Sequence, residues 1–111
     1  MPSGKRWTVQ DRNGRPIYLT HERWQHIVEP ERHLEMSEYE EELKETLRAG
    51  TRTQDSLDPT KFYYLKAFHG LPEGNNHIVA VVRFGFALEE GTTIPNNFIV
   101  TAYQTSIRSK R

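Results

Sequence analysis

The chain has 111 residues, a formal net charge of zero, 35% apolar residues and no cysteine. That length supports one hydrophobic core, so a single domain over 1–111 is expected. The missing thiols exclude disulfides, thiolate zinc sites and cysteine nucleophiles, and the balanced charge excludes a grip on nucleic acid through the overall field.

Charge is nevertheless uneven along the chain. Acid gathers in "EPERHLEMSEYEEELKE", while "GKR" and "RSKR" place base near the two ends, which leaves room for a local basic face. The opening "MPSGKRWTVQ" has no apolar signal core, and no later run reaches membrane-spanning length. These features predict a cytoplasmic protein with no membrane partner.

In chain order, "WTVQDRNGRPIYL" predicts a hairpin. Trp7 and Val9 alternate before Asn13-Gly14, the pair suited to a two-residue turn with positive φ, and Ile17 and Leu19 alternate after it. Thr20 is placed to cap a helix with the stripe Trp24, Ile27 and Val28, and Pro30 interrupts or restarts that helix. Ser37 with Glu40 forms a capping-box pattern for a second helix carrying Tyr39, Leu43 and Leu47, with Gly50 as its stop.

After Gly50 the pattern alternates. "KFYYLKAFH", "HIVAVVRFGF" and "NFIVTAYQTS" read as strands, "TRTQDS" as one more, and "GLPEGNN" and "EEGTTIPNN" as turns. The expected class is α+β, with N-terminal helices packed on a curved antiparallel sheet.

Chemistry concentrates in "HERWQHIVEPERH". "HERWQH" imitates the zinc-protease signature but is one residue too long, so His21 and His26 lie about 140° apart on a helix and no metal site is expected. His26 and His33, seven residues apart, return to within roughly 20° of each other on an unbroken helix, away from the apolar stripe. Two imidazoles facing one way suit acid-base work, while helical geometry alone favours a pair of solvated surface histidines.

Strand parity adds further groups. Arg83 shares a face with Val79 and Val81, Thr101 and Tyr103 share one with Ile99, and Lys66 shares one with Phe62, Tyr64 and Phe68. A sheet covered by helices on one side and open on the other has this composition.

The ordered set "ERWQHI", "ERHLEM" followed by "YEEELKETL", then "YYLKAF" and a late "FIVTAY", resembles the phage-associated branch of the barnase, EndoU, colicin and RelE-like (BECR) ribonuclease superfamily. The match is by order and spacing and runs from about Arg15 to Tyr103. The resemblance implies a metal-independent endoribonuclease fold with RNA on the open face of the sheet and no cofactor. It places the family's helical histidines at His26 and His33 with Arg32 beside the latter, its mid-sheet cation at Lys66, and its last-strand hydroxyls at Thr101 and Tyr103. Arg83 and Tyr64 are the remaining substrate-binding candidates.

Those residue types fit RNA cleavage without metal. The ribose 2′-hydroxyl is the nucleophile, so the enzyme needs a base, an acid, and cations or donors on the phosphate. Histidine as a residue type serves as either near neutral pH. The expected activity is that of a toxin or phage-related effector acting on RNA, tRNA included, and leaving 2′,3′-cyclic phosphate ends. A cognate antitoxin or immunity protein would then be a partner. The alternative is a non-catalytic RNA- or protein-binding module of the same fold, or a structural partner docking through the acidic helix from Glu38 to Glu45.

Overall fold

The computed structural model describes residues 4–108; Ser109, Lys110 and Arg111 of the basic "RSKR" stretch lie outside the described residues. Strands β1 (Lys5–Gln10) and β2 (Pro16–Thr20) come first, then helix α1 (His21–Ile27), a 3₁₀ turn at Leu34–Glu38, and helix α2 (Glu40–Ala49). Strands β3 (Thr51–Gln54), β4 (Lys61–Ala67), β5 (His77–Arg83), β6 (Phe86–Glu89), β7 (Thr92–Pro95) and β8 (Phe98–Thr105) follow. Among the described residues, six strands form a curled sheet in the order β1-β2-β8-β5-β4-β3, and β6 pairs with β7 in a separate ribbon.

The class is α+β, with two corrections to the expected arrangement. The hairpin, itself expected from the sequence, precedes the helices, so they are not N-terminal. The sheet is mixed, because β2 runs parallel to β8 through the pair Tyr18 and Phe98. No tight turn joins those two strands, and a direction set by a long connection is free to be parallel. No helix among the described residues is long and apolar enough to cross a membrane.

The first hairpin forms, but not with a two-residue turn. Residues 11–15 make a five-residue loop in which Gly14 alone has positive φ, at 82°. Asp11 organises it: its carboxylate accepts from the backbone N–H of Asn13 and Arg15, both at 2.9 Å, from the Arg15 guanidinium at 3.0 Å, and from the Tyr64 hydroxyl at 2.6 Å. A two-residue turn is found instead at Glu90-Gly91, with φ of 50° and 81°, joining β6 and β7. The second strand of that ribbon, β7, lies within "EEGTTIPNN", a stretch expected to be a turn.

The expected capping box is also absent. Tyr39 is the N-cap of α2 and makes no side-chain cap bond. Glu40 instead accepts from the Arg6 guanidinium and, at 2.6 Å, from the Trp7 indole, tying α2 to β1. Gly50 does end α2, for a packing reason: a Cβ there would lie 2.5 Å from the Thr46 carbonyl oxygen and 2.7 Å from that of Leu65.

Leu43 and Leu47 of α2 join Trp24 and Ile27 of α1, Ile78, Ala80 and Val82 of β5, and Ile99 and Ala102 of β8 in one apolar cluster. Val79 and Val81 stand outside it. The sheet thus has a helix-covered face and an opposite face, as the alternation in β5 predicts. In β8 a bulge near Val100 shifts the register between Val81 and Val82. Ile99 therefore turns inward, 1% exposed, while Thr101 and Tyr103 sit opposite Val81 and Val79 on the other face.

Candidate functional site

The ladder between β2 and β8 holds a single registered pair, and α1 packs against both strands beside it. Thr20 starts the helix by accepting from the Arg23 N–H at 3.0 Å. The helix stops at Ile27, three residues before Pro30, whose ring disfavours helical backbone at the preceding residue. The chain then turns back on itself: the Arg32 N–H donates to Glu29 O and the His33 N–H to Ile27 O, both at 2.9 Å.

That turn brings the two histidines to one place. His26 and His33 do not share a helix face, since α1 ends between them, but both line a pocket of about 310 Å³ with Arg23, Arg32, Ile27, Val100 and Thr101. The His33 ring lies against the Tyr103 ring, with centroids 5.5 Å apart and planes tilted by 33°. Tyr103 lies on the sheet face opposite the helices, across from the buried Val79.

Each imidazole has a carboxylate neighbour. Glu29 approaches His26 Nδ1 at 3.9 Å and accepts from Arg32 Nε at 3.0 Å. Glu35 lies 3.5 Å from His33 Nδ1 and accepts from the Gln104 N–H at 3.4 Å. All of these are partly exposed: the side chains of His26, His33 and Arg32 retain 46%, 36% and 61% of their accessible surface. The long contacts of the imidazoles, and the exposure of all three side chains, leave these groups able to exchange partners with a ligand.

Comparison with family models, curated proteins and solved structures returned no match.

The other sequence candidates lie elsewhere. Lys66 sits opposite Ile78 on the helix-side parity, with its ammonium 4.6 Å from the Phe68 ring centroid. Tyr64 is a core residue, 1% exposed, whose hydroxyl is committed to Asp11; burial pushes that hydroxyl's pKa up and the carboxylate raises it further. Arg83 has the open-face parity but donates to Asp58 at 3.2 Å and to Thr60 at 3.0 Å. The candidate site thus comprises His26, His33, Arg32, Thr101 and Tyr103, without Lys66, Tyr64 or Arg83.

Three residues join it that sequence reasoning passed over: Arg23, Glu29 and Glu35. Arg23 and Glu29 stand three residues before and after His26, a spacing that puts side chains together on a helix or its first following turn. Glu35 had no such signal, because its place depends on the turn at Pro30. Among the described residues no group of three or more histidine and carboxylate side chains is arranged to hold a metal ion.

Proposed function

We propose that this protein is a metal-independent endoribonuclease of the BECR type. The observation that carries the proposal is that two histidines, two arginines and a threonine line one pocket beside β8. One imidazole removes the proton from the ribose 2′-hydroxyl as its oxygen bonds to phosphorus. The other gives a proton to the 5′-oxygen as the P–O5′ bond breaks, leaving a 2′,3′-cyclic phosphate and a 5′-hydroxyl. Arg23 and Arg32 balance the charge that builds on the phosphoryl oxygens, and Thr101 donates a hydrogen bond to them. Tyr103 orients His33 through ring contact and offers a stacking surface for a base.

The role of Glu29 follows from its two contacts. It accepts from Arg32 and lies 3.9 Å from His26 Nδ1, so a phosphate entering the pocket competes with it for Arg32. A toxin or phage-related effector is the biological setting this chemistry suits, with RNA as substrate and an inhibitory protein as the partner that keeps a producing cell intact.

The test is cleavage of total RNA and purified tRNA in excess EDTA, with product ends mapped, for wild type, His26→Ala and His33→Ala. Cyclic phosphate ends from the wild type, lost in either variant, are the expected result. Intact RNA from well-folded wild type overturns the proposal.

A further inference from the structure

A second cavity adjoins the first. It measures about 220 Å³ and is lined by Tyr18, Thr20, Arg23, Phe98 and Ile99. Arg23 lines both cavities. We propose that this second cavity is a subsite for the base of a nucleotide flanking the scissile phosphate in single-stranded RNA. The proposal rests on the reading of the first pocket as the phosphate site and names where the next part of the substrate lies.

Three observations support it. The first is continuity on one face. Ile17 and Leu19 point into the core, fully buried, so Tyr18 between them points to the opposite face, and its partner Phe98 stands opposite Arg83 on that same face. Phe98, Thr101 and Tyr103 therefore follow one another along one strand, and Phe98 lies at most about 10 Å from Thr101, the bulge at Val100 shortening the ordinary strand rise. Neighbouring nucleotides of an extended strand cover that reach, with Arg23 between them at the phosphate.

The second is the chemistry of the lining. Tyr18 and Phe98 form an aromatic pair with centroids 6.0 Å apart and planes tilted by 40°. That separation is too small for a base to enter between the rings, so the base lies over them. The Lys5 ammonium lies over the Tyr18 ring, 4.5 Å from its centroid. The cavity is smaller than the roughly 300–1,000 Å³ of pockets for drug-sized ligands, and suits one flat ring system.

The third is that the platform is held in place. The Tyr18 hydroxyl donates to Asn96 at 2.8 Å, the Tyr18 N–H donates to Asn97 O at 3.0 Å, and the Asn97 amide donates to Pro16 O at 2.8 Å. Asn97 is 5% exposed. A rigid stacking surface binds a base without paying to order itself, and stacking accepts any base because each has a π-face.

The experiment uses RNA tetranucleotides blocked against cleavage by 2′-O-methyl groups, each intact or lacking one base, titrated against wild type, Tyr18→Leu and Phe98→Leu. The expected result is one position at which removing the base weakens wild-type binding by about tenfold or more. At that position both variants bind intact RNA as weakly as wild type binds the abasic RNA, and lose the discrimination. Two variants, each checked by thermal unfolding, separate loss of the platform from loss of the fold. Discrimination that survives in both variants overturns the subsite while cleavage by the wild type, measured separately, leaves the ribonuclease reading intact. Discrimination that depends on Phe98 in a protein that cuts no RNA overturns the ribonuclease reading and leaves the cavity as a base-binding site without a scissile phosphate beside it. Absence of RNA binding by the wild type overturns the subsite.

Discussion

Asp11 with Tyr64, and Glu29 with His26 and Arg32, are two polar clusters built from similar groups and put to opposite uses. The Asp11 carboxylate, 6% exposed, accepts four hydrogen bonds, and each donor has its partner in place. The Glu29 carboxylate is about half exposed, makes one hydrogen bond and stands off from His26 by 3.9 Å. A buried carboxylate left unsatisfied would be expensive, so the first cluster is saturated and structural. The second is wetted and unsaturated, so its groups are available to a ligand at little energetic cost.

Mutation of the histidines pulls that contrast apart most strongly. His26→Ala and His33→Ala should each lower RNA cleavage by about 10²- to 10⁴-fold, the usual worth of a general acid or base. Unfolding free energy should move by no more than ~0.5 kcal/mol, since both rings are partly exposed. Initial rates and urea titrations on the same preparations measure the two effects. A parallel loss of stability would make the pocket structural and erase the distinction.

The reverse behaviour is expected at Asp11. Asp11→Ala removes the acceptor of the buried Tyr64 hydroxyl and the organiser of the first hairpin loop, and should destabilise by about 3 kcal/mol. Tyr64→Phe, which removes one hydrogen bond and leaves three, should lose about 1 kcal/mol. Cleavage per folded molecule should be unchanged in both, as activity normalised to the folded fraction will show.

Acid unfolding sharpens the same contrast with a smaller effect. Burial on its own would raise the Asp11 pKa, but the hydrogen bonds from Tyr64, Arg15 and Asn13 outweigh it and hold the carboxyl below its ordinary value. A carboxyl lowered on folding contributes stability that is complete above the unfolded value of about 3.9 and is lost as pH falls through the folded value. Stability of the wild type should therefore fall below about pH 4, and Asp11→Asn should flatten that limb. Some slope will remain, because the Tyr63 hydroxyl and the Leu57 and Asp58 backbone N–H groups hold Asp55 at about 2. Chemical denaturation at stepped pH measures it; identical slopes would show that Asp11 does not titrate with folding.

Much of the framework was legible because it depends on local periodicity. The cap at Thr20, the buried stripe of α1, the stop at Gly50 and the two faces of β5 all follow from residues within a few positions of each other. Features that depend on distant partners were not. Asn13-Gly14 carries the stronger turn signal, yet Asp11 captures that loop through Arg15 and Tyr64, while Glu90-Gly91 takes the tight turn. Ser37 and Glu40 spell a capping box, yet Arg6 and Trp7 of β1 claim the glutamate. The candidate site shows the same division: His26 and His33 were identified on the premise of an unbroken helix, and they meet through the turn after Pro30. Lys66 and Tyr64 were grouped correctly by parity, but which face the helices cover is a tertiary fact.

The smallest expected effect concerns Tyr103, which joins the pocket to the sheet. If its ring positions His33, the hydroxyl is dispensable and the ring is not. Tyr103→Phe keeps the 5.5 Å ring contact and should retain cleavage within a fewfold of wild type, whereas Tyr103→Leu removes the aromatic face and should lower it by roughly tenfold. A hydroxyl that itself donates to the phosphate would invert the order, with Tyr103→Phe losing activity about as far as Tyr103→Leu. The pH profile separates the cases further. Loss of a ring that only orients His33 lowers the rate across the profile without changing its shape. Loss of a proton donor would change the alkaline limb, where a phenol and an imidazolium lose their protons at different pH.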